Sequence, residues 1–152
     1  MEEDIDIITL MGRHFYNYSA FKDYGLNFDF DSFRDFVRNV YDMTLKDTAV
    51  ILVAVDNPTA SVVGSIGGIL VPWMLDQSQV IMAELWWWME PDHRGGTGIK
   101  LVKTLEKEAQ ELGAQFMSMV TLGNRREDTL QQLYERMGYR HLEQYHLKGL
   151  RP

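Results

Sequence analysis

Three apolar, β-branched runs follow one another in the middle of the chain and strongly limit the folds that it can adopt. They are Thr48–Asp56, Ser61–Pro72 and Gln79–Met89. β-Branched and aromatic residues favour strands, and links as short as the turn Asn57–Ala60 join only antiparallel neighbours. The pattern therefore predicts an antiparallel meander. Interior glycines predict a bulge or a close backbone approach in the second strand; they are Gly64, Gly67 and Gly68.

Segments with apolar residues at helical period lie on both sides of this meander. Two precede it, Asp4–Ala20 and a second helix that Asp31 or Ser32 caps. After it the pattern predicts a helix, a strand, a helix and a strand, at Ile99–Leu112, Gln115–Thr121, Glu127–Met137 and Tyr139–Leu147. The order α-α-β-β-β-α-β-α-β predicts one mixed α/β (α+β) domain over residues 1–152, with a mostly antiparallel sheet flanked by helices.

Composition argues against several classes of function. The chain carries 22 Asp+Glu and 15 Lys+Arg, a formal net charge of −7, whereas nucleic-acid binding needs clustered positive charge. It has no cysteine, which excludes a thiol nucleophile. His141 and His146 would face opposite sides of one strand, and this arrangement disfavours a metal ion bound by both. The apolar runs are too short to span a bilayer, and the start is acidic, unlike a signal peptide. We therefore expect a cytoplasmic protein without a metal, nucleic acid or membrane partner.

The segment richest in chemical information joins the third predicted strand to the third predicted helix. It reads Pro-Asp-His-Arg-Gly-Gly-Thr-Gly over residues 91–98. Glycines let a backbone approach a ligand closely, and a helix N-terminus presents free N–H groups and a positive dipole end. The segment predicts a phosphate cradle beside the positive charges of Arg94 and Lys100. A tight turn without a ligand is the alternative.

Well-known motifs narrow the choice of ligand and reaction. The Walker pattern GxxxxGK[ST] is absent, and a GxGxxG fingerprint starting at Gly96 would need glycine where Leu101 stands. ATPase and NAD-binding interpretations therefore lose support. The GxSxG pattern of serine hydrolases is absent as well.

Glu84 is a carboxylate inside an otherwise apolar predicted strand. Alternation places it on the face of Trp86 and Trp88, opposite Trp87. An apolar environment is costly for a carboxylate unless it is exposed or paired, and burial raises its pKa toward the range of a general base. Two interpretations remain: a base for a substrate ammonium, or a solvent-facing or salt-bridged glutamate.

Three segments resemble the GNAT-type N-acetyltransferases, which carry an acyl group from acyl-coenzyme A to an amine. They are the strand end Trp86–Pro91, the loop Arg94–Gly98 and the segment Leu133–Tyr139. The family's usual forms are a strand ending in V-x-P, then [RQ]-G-x-G-x-[GA], then LYE-x-x-G-[FY], in this order. The resemblance covers about residues 48–147. It extends to small GNAT proteins of tailed phages, which implies a bacterial or phage-infected host cytoplasm.

The chain departs from the family pattern in two places. The loop Gly96–Ile99 is one residue shorter than the common form. The chain also opens in a helix where the family has a first strand. That departure leaves a sheet edge which a second copy, in a homodimer, would cover.

The resemblance implies a site for acetyl-CoA. Its pyrophosphate would lie on the backbone N–H groups of the glycine loop, and its thioester arm would lie along the edge of the third strand, in a slot that the family makes by splaying two strands. An asparagine after the fifth strand of the family binds the cofactor arm, which implies this role for Asn124. The implied cofactor-binding residues are Trp87, Trp88, Met89, Arg94, Gly95, Gly96, Thr97, Gly98, Ile99, Lys100 and Asn124.

The resemblance also implies direct transfer of the acetyl group to a primary amine in a ternary complex. Tyr134 would protonate the leaving thiolate, although it also fits a core tyrosine on a helix. Glu84 or water would take the amine proton, and the Met89 N–H would polarise the thioester carbonyl.

The acceptor is less defined by the sequence. Candidates for its pocket are Phe15, Tyr16, Phe28 and Phe30. A cationic amine is favoured by four acidic residues, Asp23, Asp29, Asp31 and Asp35. Two other functional classes remain: a non-catalytic acyl-CoA-binding or protein-interaction domain of the same fold, and an unrelated phosphate-binding α/β domain.

Overall fold

A computed structural model describes residues 2–122 and 127–150 of the protein. Its four helices are α1 (Ile5–Tyr18), α2 (Phe30–Thr44), α3 (Gly96–Glu111) and α4 (Glu127–Arg136). Its four strands are β1 (Ala49–Asp56), β2 (Ser61–Trp73), β3 (Asp76–Met89) and β4 (Phe116–Ser118). Short 3-10 turns lie at Glu2–Asp4, Phe21–Tyr24 and Pro91–His93. None of the helices so described is long and apolar enough to cross a membrane.

The strands form one sheet in the order β1-β2-β3-β4. β1 pairs with β2 and β2 with β3 in antiparallel fashion, whereas β4 joins β3 in parallel. The predicted meander and the mixed, mostly antiparallel sheet flanked by helices are therefore confirmed. The parallel pair follows from the helix α3, which carries the chain back across the sheet between β3 and β4.

Helices cover both faces of the sheet. On one face, Leu101 and Leu105 of α3 pack with Ile66 and Met82 of the sheet. On the other face, α1 and α2 bury a second cluster, which includes Ile5, Ile8, Val37, Ile51 and Trp86. Each strand of the meander thus contributes alternate residues to two apolar layers, as its period requires.

The start of α2 differs from the prediction. Asp29, not Asp31 or Ser32, is the N-cap, and its side chain accepts a hydrogen bond from the Ser32 N–H at 2.8 Å. Its backbone is extended (φ −116°, ψ 124°), which lets the carboxylate reach the N–H three residues ahead. Asp31 and Ser32 therefore lie inside the first turn.

The predicted last strand, Tyr139–Leu147, is not formed. This segment is neither helix nor strand, and Leu142 and Tyr145 are 84% and 90% exposed. A strand there would place Leu142 on one face and Tyr145 and Leu147 on the other, where His141 and Glu143 interrupt the apolar residues, so neither face would be continuously apolar. β4 also has only three residues, which offers a short edge for pairing.

A bulge at Leu85 changes the face on which Glu84 lies. Along β2, Gly67 pairs with Trp86 but Gly68 pairs with Glu84, so Leu85 is an extra residue in β3. The prediction that Glu84 shares a face with the tryptophans at 86 and 88 is therefore wrong. Strict alternation fails because the bulge shifts the register by one. The bulge that the glycines predicted is confirmed at Gly67 and Gly68.

We expect Gly67→Ala to lower the free energy of unfolding by about 1–3 kcal/mol. The added Cβ would lie 2.5 Å from two ring atoms of Trp86. That ring is held in place, because its Nε1 donates to Ser65 Oγ at 3.0 Å. Urea denaturation followed by tryptophan fluorescence measures the loss. Gly96→Ala is the control, since a Cβ there meets no atom within 4 Å; equal losses in both variants would contradict this account.

Candidate functional site

β3 and β4 diverge where the site begins. Their parallel pairing covers only Ile81–Ala83 of β3, although β3 continues to Met89. On its other side β3 stays paired with β2 as far as Met89. Within the part of the chain that the structure describes, the segment from Leu85 to Met89 therefore has an unpaired edge toward β4. This edge includes the backbone of Trp87, Trp88 and Met89, the residues predicted to hold the thioester arm.

The two predicted catalytic side chains meet at one backbone residue in this gap. Glu84 Oε2 accepts a hydrogen bond from the Val120 N–H at 2.9 Å. The Tyr134 hydroxyl of α4 donates to the Val120 carbonyl at 3.1 Å. Side chains thus bond the Val120 backbone in place of a neighbouring strand. The predicted extension of β4 to Thr121 is wrong, because β3 and β4 pair only as far as Ser118.

Both side chains have altered proton affinities. Burial raises the pKa of Glu84 to about 7, although the hydrogen bond from Val120 partly offsets this effect. Burial and, to a smaller extent, the negative charge of Glu84 raise the pKa of Tyr134 well above its ordinary value. Near neutral pH, Glu84 therefore exchanges a proton readily, while Tyr134 keeps its hydroxyl proton.

Aromatic contacts hold Tyr134 in position. Its ring centroid lies 6.2 Å from that of Trp87 and 5.7 Å from that of Tyr139. The Tyr139 hydroxyl donates to Glu106 Oε1 on α3 at 2.7 Å. Tyr139, which the motif contained without a role, thus anchors α4 to α3. Neither Val120 nor Glu106 carried a signal in the sequence, because both act through contacts between distant segments.

The glycine loop is open to solvent where the cradle was predicted. Gly95 has φ +122°, a conformation that favours glycine, and a Cβ at Gly95 or Gly96 would meet no atom within 4 Å. The helix α3 begins at Gly96, so the predicted start at Ile99 is wrong and Gly96, Thr97 and Gly98 belong to its first turn. Thr97 and Lys100 are exposed and Ile99 is partly buried. The first N–H groups of α3 have no carbonyl partner, because no helical turn precedes them. Among the described residues, these N–H groups are therefore donors without a backbone acceptor, at an open position.

Gly98 joins this loop to the end of β3. It is buried, and a Cβ there would lie 3.2 Å from Met89 Cγ and 3.3 Å from the Trp87 ring. A side chain at Gly98 would therefore crowd Met89 and Trp87, which would have to give way by a few tenths of an ångström. The Trp87 indole N–H is buried there without a partner among the described residues.

Arg94 is held on the other side of the strand end. Its guanidinium lies 4.8 Å from the ring centroids of both Tyr18 and Trp88. Its Nε donates to the Met89 carbonyl at 3.1 Å. This arrangement places the charge of Arg94 between α1 and the end of β3. Asn124 lies outside the described residues, and its role stays a prediction.

A cavity of about 390 Å³ lies on the opposite face of β3 from Glu84, between α1 and the segment 21–33. Its lining includes Phe15, Tyr16, Phe28, Phe33, Trp86 and Trp88. Three of the four aromatic residues predicted for the acceptor pocket thus line it. Phe30 does not, and its ring lies instead 5.3 Å from the Arg13 guanidinium. The four acidic residues predicted to attract a cationic amine are not among its lining residues.

Comparisons of the sequence and of the structure with known proteins identify the family to which these elements belong. A family model described as "Acetyltransferase (GNAT) family" matches residues 17–139. The chain belongs to the GNAT acetyltransferase family. The match includes the glycine loop and the segment around Tyr134. As a GNAT protein, the chain is assigned to a family that uses acetyl-CoA. No curated protein sequence matches it significantly.

Solved structures show the same GNAT fold. An acetyltransferase from Trypanosoma brucei has a TM-score of 0.70 at 18% identity, with 99% of this chain and 95% of that chain covered. A predicted acetyltransferase with acetyl-CoA from Clostridium acetobutylicum has a TM-score of 0.68 at 15% identity, with coverage of 99% and 92%. A transcriptional regulator from Bacillus halodurans has a TM-score of 0.72 at 16% identity, with coverage of 99% and 95%. At such identities the likeness establishes the fold alone.

Proposed function

We propose that this GNAT protein transfers an acetyl group from acetyl-CoA directly to a primary amine in a ternary complex. The observation that carries the proposal is the meeting of Glu84 and Tyr134 at Val120, beside the unpaired edge of β3. One group there exchanges a proton near neutral pH and the other retains one. Acetyl transfer to an amine needs both a proton acceptor and a proton donor.

The residues that would hold acetyl-CoA fit its chemistry. The open loop at Gly95 and Gly96 leaves room for a pyrophosphate on the first N–H groups of α3. No strand pairs with the edge of Trp87–Met89 on the side of β4, so backbone groups such as the Met89 N–H are available to an extended arm, in the manner of an added strand. The Met89 carbonyl already accepts a hydrogen bond from Arg94 Nε. Acetyl-CoA supplies an activated acyl group, and the Met89 N–H would polarise its carbonyl.

The proton transfers follow from the positions of the two side chains. The amine nitrogen forms a bond to the thioester carbonyl carbon, and the carbon–sulfur bond breaks. Tyr134 gives its hydroxyl proton to the leaving thiolate. Glu84 takes one proton of the substrate ammonium before the attack, directly or through water, and the Tyr134 phenolate recovers the second nitrogen proton as the amide forms. A chain without cysteine forms no acetyl-cysteine, so the acetyl group passes straight to the amine.

Acetyl-CoA is expected to raise the melting temperature by about 5–10 °C at a concentration of about 100 times its dissociation constant, a stabilisation of about 2.7 kcal/mol. ATP and NAD, tested at the same concentration, should give a smaller shift. Differential scanning fluorimetry measures all three. No shift at millimolar acetyl-CoA would overturn the proposed function.

A charge variant tests whether the loop is the binding site. Gly96→Asp places a carboxylate where a side chain meets no atom within 4 Å, so the fold should tolerate it while the phosphates are repelled. Gly149→Asp adds the same charge in the C-terminal segment, where a Cβ also meets open space. The shift with acetyl-CoA should disappear in the first variant and persist in the second. A shift that survives in both would move the cofactor away from the loop.

A further inference from the structure

We propose that the cavity beside α1 binds the acceptor, and that this acceptor is a compact primary amine that carries an aromatic ring on a short chain. The inference rests on the proposed function and names its substrate class. The cavity has a volume of about 390 Å³, within the range of about 300–1,000 Å³ that is typical of small-molecule sites.

The lining of the cavity selects against strongly polar acceptors. None of the described residues that line it is charged, and most are aromatic or aliphatic. The Tyr16 hydroxyl, one of its few polar groups, already donates to the Leu26 carbonyl at 2.8 Å. A polyamine or an amino sugar would lose hydrogen bonds to water there without replacement. An aromatic ring would instead bury apolar surface against ring edges and faces.

The walls of the cavity are held in place by hydrogen bonds and by contacts between aromatic rings. Trp86 is fixed by its hydrogen bond to Ser65 and by edge contact with Phe33, at 6.3 Å between centroids. On the other wall, α1 is tied to the end of β3, where His14 Nδ1 lies 2.8 Å from a carboxylate oxygen of Glu90. Phe15 of the same helix packs edge-on against Trp88 at 6.0 Å. A wall fixed in this way is preorganised for a flat ligand.

The position of the cavity fits an acceptor. Its floor is formed by Leu85, Trp86 and Trp88 of β3. The backbone of this same segment has the unpaired edge toward β4. A ring in the cavity would therefore lie beside the strand along which the thioester arm is proposed to bind. A short chain would suffice to carry the amine to that edge, which is why the proposed ligand is compact.

The experiment compares 2-phenylethylamine and tryptamine with spermidine and propylamine as acceptors for acetyl-CoA. Released coenzyme A is detected with a thiol reagent, which meets no background because the chain contains no cysteine. We expect kcat/KM for the two aromatic amines to exceed that for spermidine and propylamine by at least about tenfold. Binding of 2-phenylethylamine is measured separately by tryptophan fluorescence, since Trp86 and Trp88 line the cavity.

Two phenylalanines provide a matched pair of variants. Phe28→Ala removes a wall of the cavity, whereas Phe30→Ala removes the same group from a residue that does not line it. We expect the first to raise KM for 2-phenylethylamine by about tenfold or more and the second to change it by less than about twofold. The acetyl-CoA melting shift should be the same in both variants. If Phe28→Ala fails to fold, the comparison of amines on the unaltered protein still decides the question.

The outcomes separate the two proposals. A melting shift with acetyl-CoA together with preferred transfer to spermidine or propylamine would overturn the aromatic-acceptor inference and leave the proposed function intact. Equal effects of the two phenylalanine variants would also overturn it. An absent acetyl-CoA shift with no transfer to any amine would overturn the proposed function. In that case, failure of 2-phenylethylamine to alter the fluorescence would remove the aromatic site as well.

Discussion

Tyr134→Phe is expected to slow acetyl transfer by about 10²–10⁴-fold while leaving acetyl-CoA binding nearly unchanged. The substitution removes only the hydroxyl, and the ring keeps its packing against Trp87 and Tyr139. In the free protein that hydroxyl donates to the Val120 carbonyl. Rotation about its carbon–oxygen bond would redirect the proton to a leaving thiolate. The rate is measured by thiol release, and binding by the melting shift with acetyl-CoA.

Tyr139→Phe is the matched control for this variant. It also removes one tyrosine hydroxyl, but this one is bonded to Glu106 on α3 rather than placed at the gap between β3 and β4. We expect its rate to fall by less than about fivefold. Comparable losses in the two variants would mean that Tyr134 acts through packing rather than proton donation. A wild-type protein that binds acetyl-CoA but acetylates no amine would instead be a binding module.

Glu84→Gln is expected to lower kcat/KM by about 10²-fold at pH 8 and to remove the rise in activity that we expect of the unaltered protein through about pH 7. The rise is expected because a base must be unprotonated to accept the proton of the amine. The glutamine amide oxygen still accepts the Val120 N–H, so the gap keeps its geometry. A pH–rate profile from pH 5.5 to 9 is the measurement.

Glu84→Gln is expected to raise the stability of the fold at pH 8, although it lowers the activity. The pKa of Glu84 is raised from an ordinary value of 4.5 to about 7 in the folded protein. The unfolded chain therefore releases its proton first, and the protein loses stability as pH rises from about 4.5 through about 7. Glutamine does not titrate, so Glu84→Gln should match the unaltered protein near pH 4.5 and exceed it at pH 8 by about 1–3 kcal/mol.

Glu143→Gln is the control for both measurements. It makes the same chemical change at an exposed position of the C-terminal segment. It should alter neither the pH–rate profile nor the pH dependence of urea denaturation. A Glu84→Gln protein that is less stable than the unaltered protein at pH 8 would contradict burial as the cause of the raised pKa.

Local patterns were sufficient to predict the meander and the helix after the glycine loop. Strand runs such as Thr48–Asp56 and the glycines at the start of α3 act on their own backbone, so their effect can be read without knowing the partners. The face of Glu84 depended on the register between β2 and β3. The glycines at 67 and 68 predicted a bulge, but not which residue of the opposite strand would be the extra one.

Features that depend on contacts between distant segments could not be predicted fully from the sequence. The sequence analysis named three residues that line the cavity, Phe15, Tyr16 and Phe28, but the wall that β3 contributes depends on contacts between distant segments. Val120 is an ordinary valine until two side chains from other elements bond to its backbone. The segment Tyr139–Leu147 shows the converse: β-favouring residues do not form a strand where no long edge and no apolar face are available.

The extra residue at Leu85 also has an evolutionary consequence. Because of it, Leu85 and Trp86 turn toward the cavity while Glu84 turns toward Tyr134. If both proposals hold, recognition of the acceptor and transfer of protons would take place on opposite sides of one strand. Substitutions in the segment 21–33 would then change which amine enters without disturbing the groups that move the proton. A fold arranged in this way could accept new substrates through substitutions in that segment alone, while its reaction stays the same.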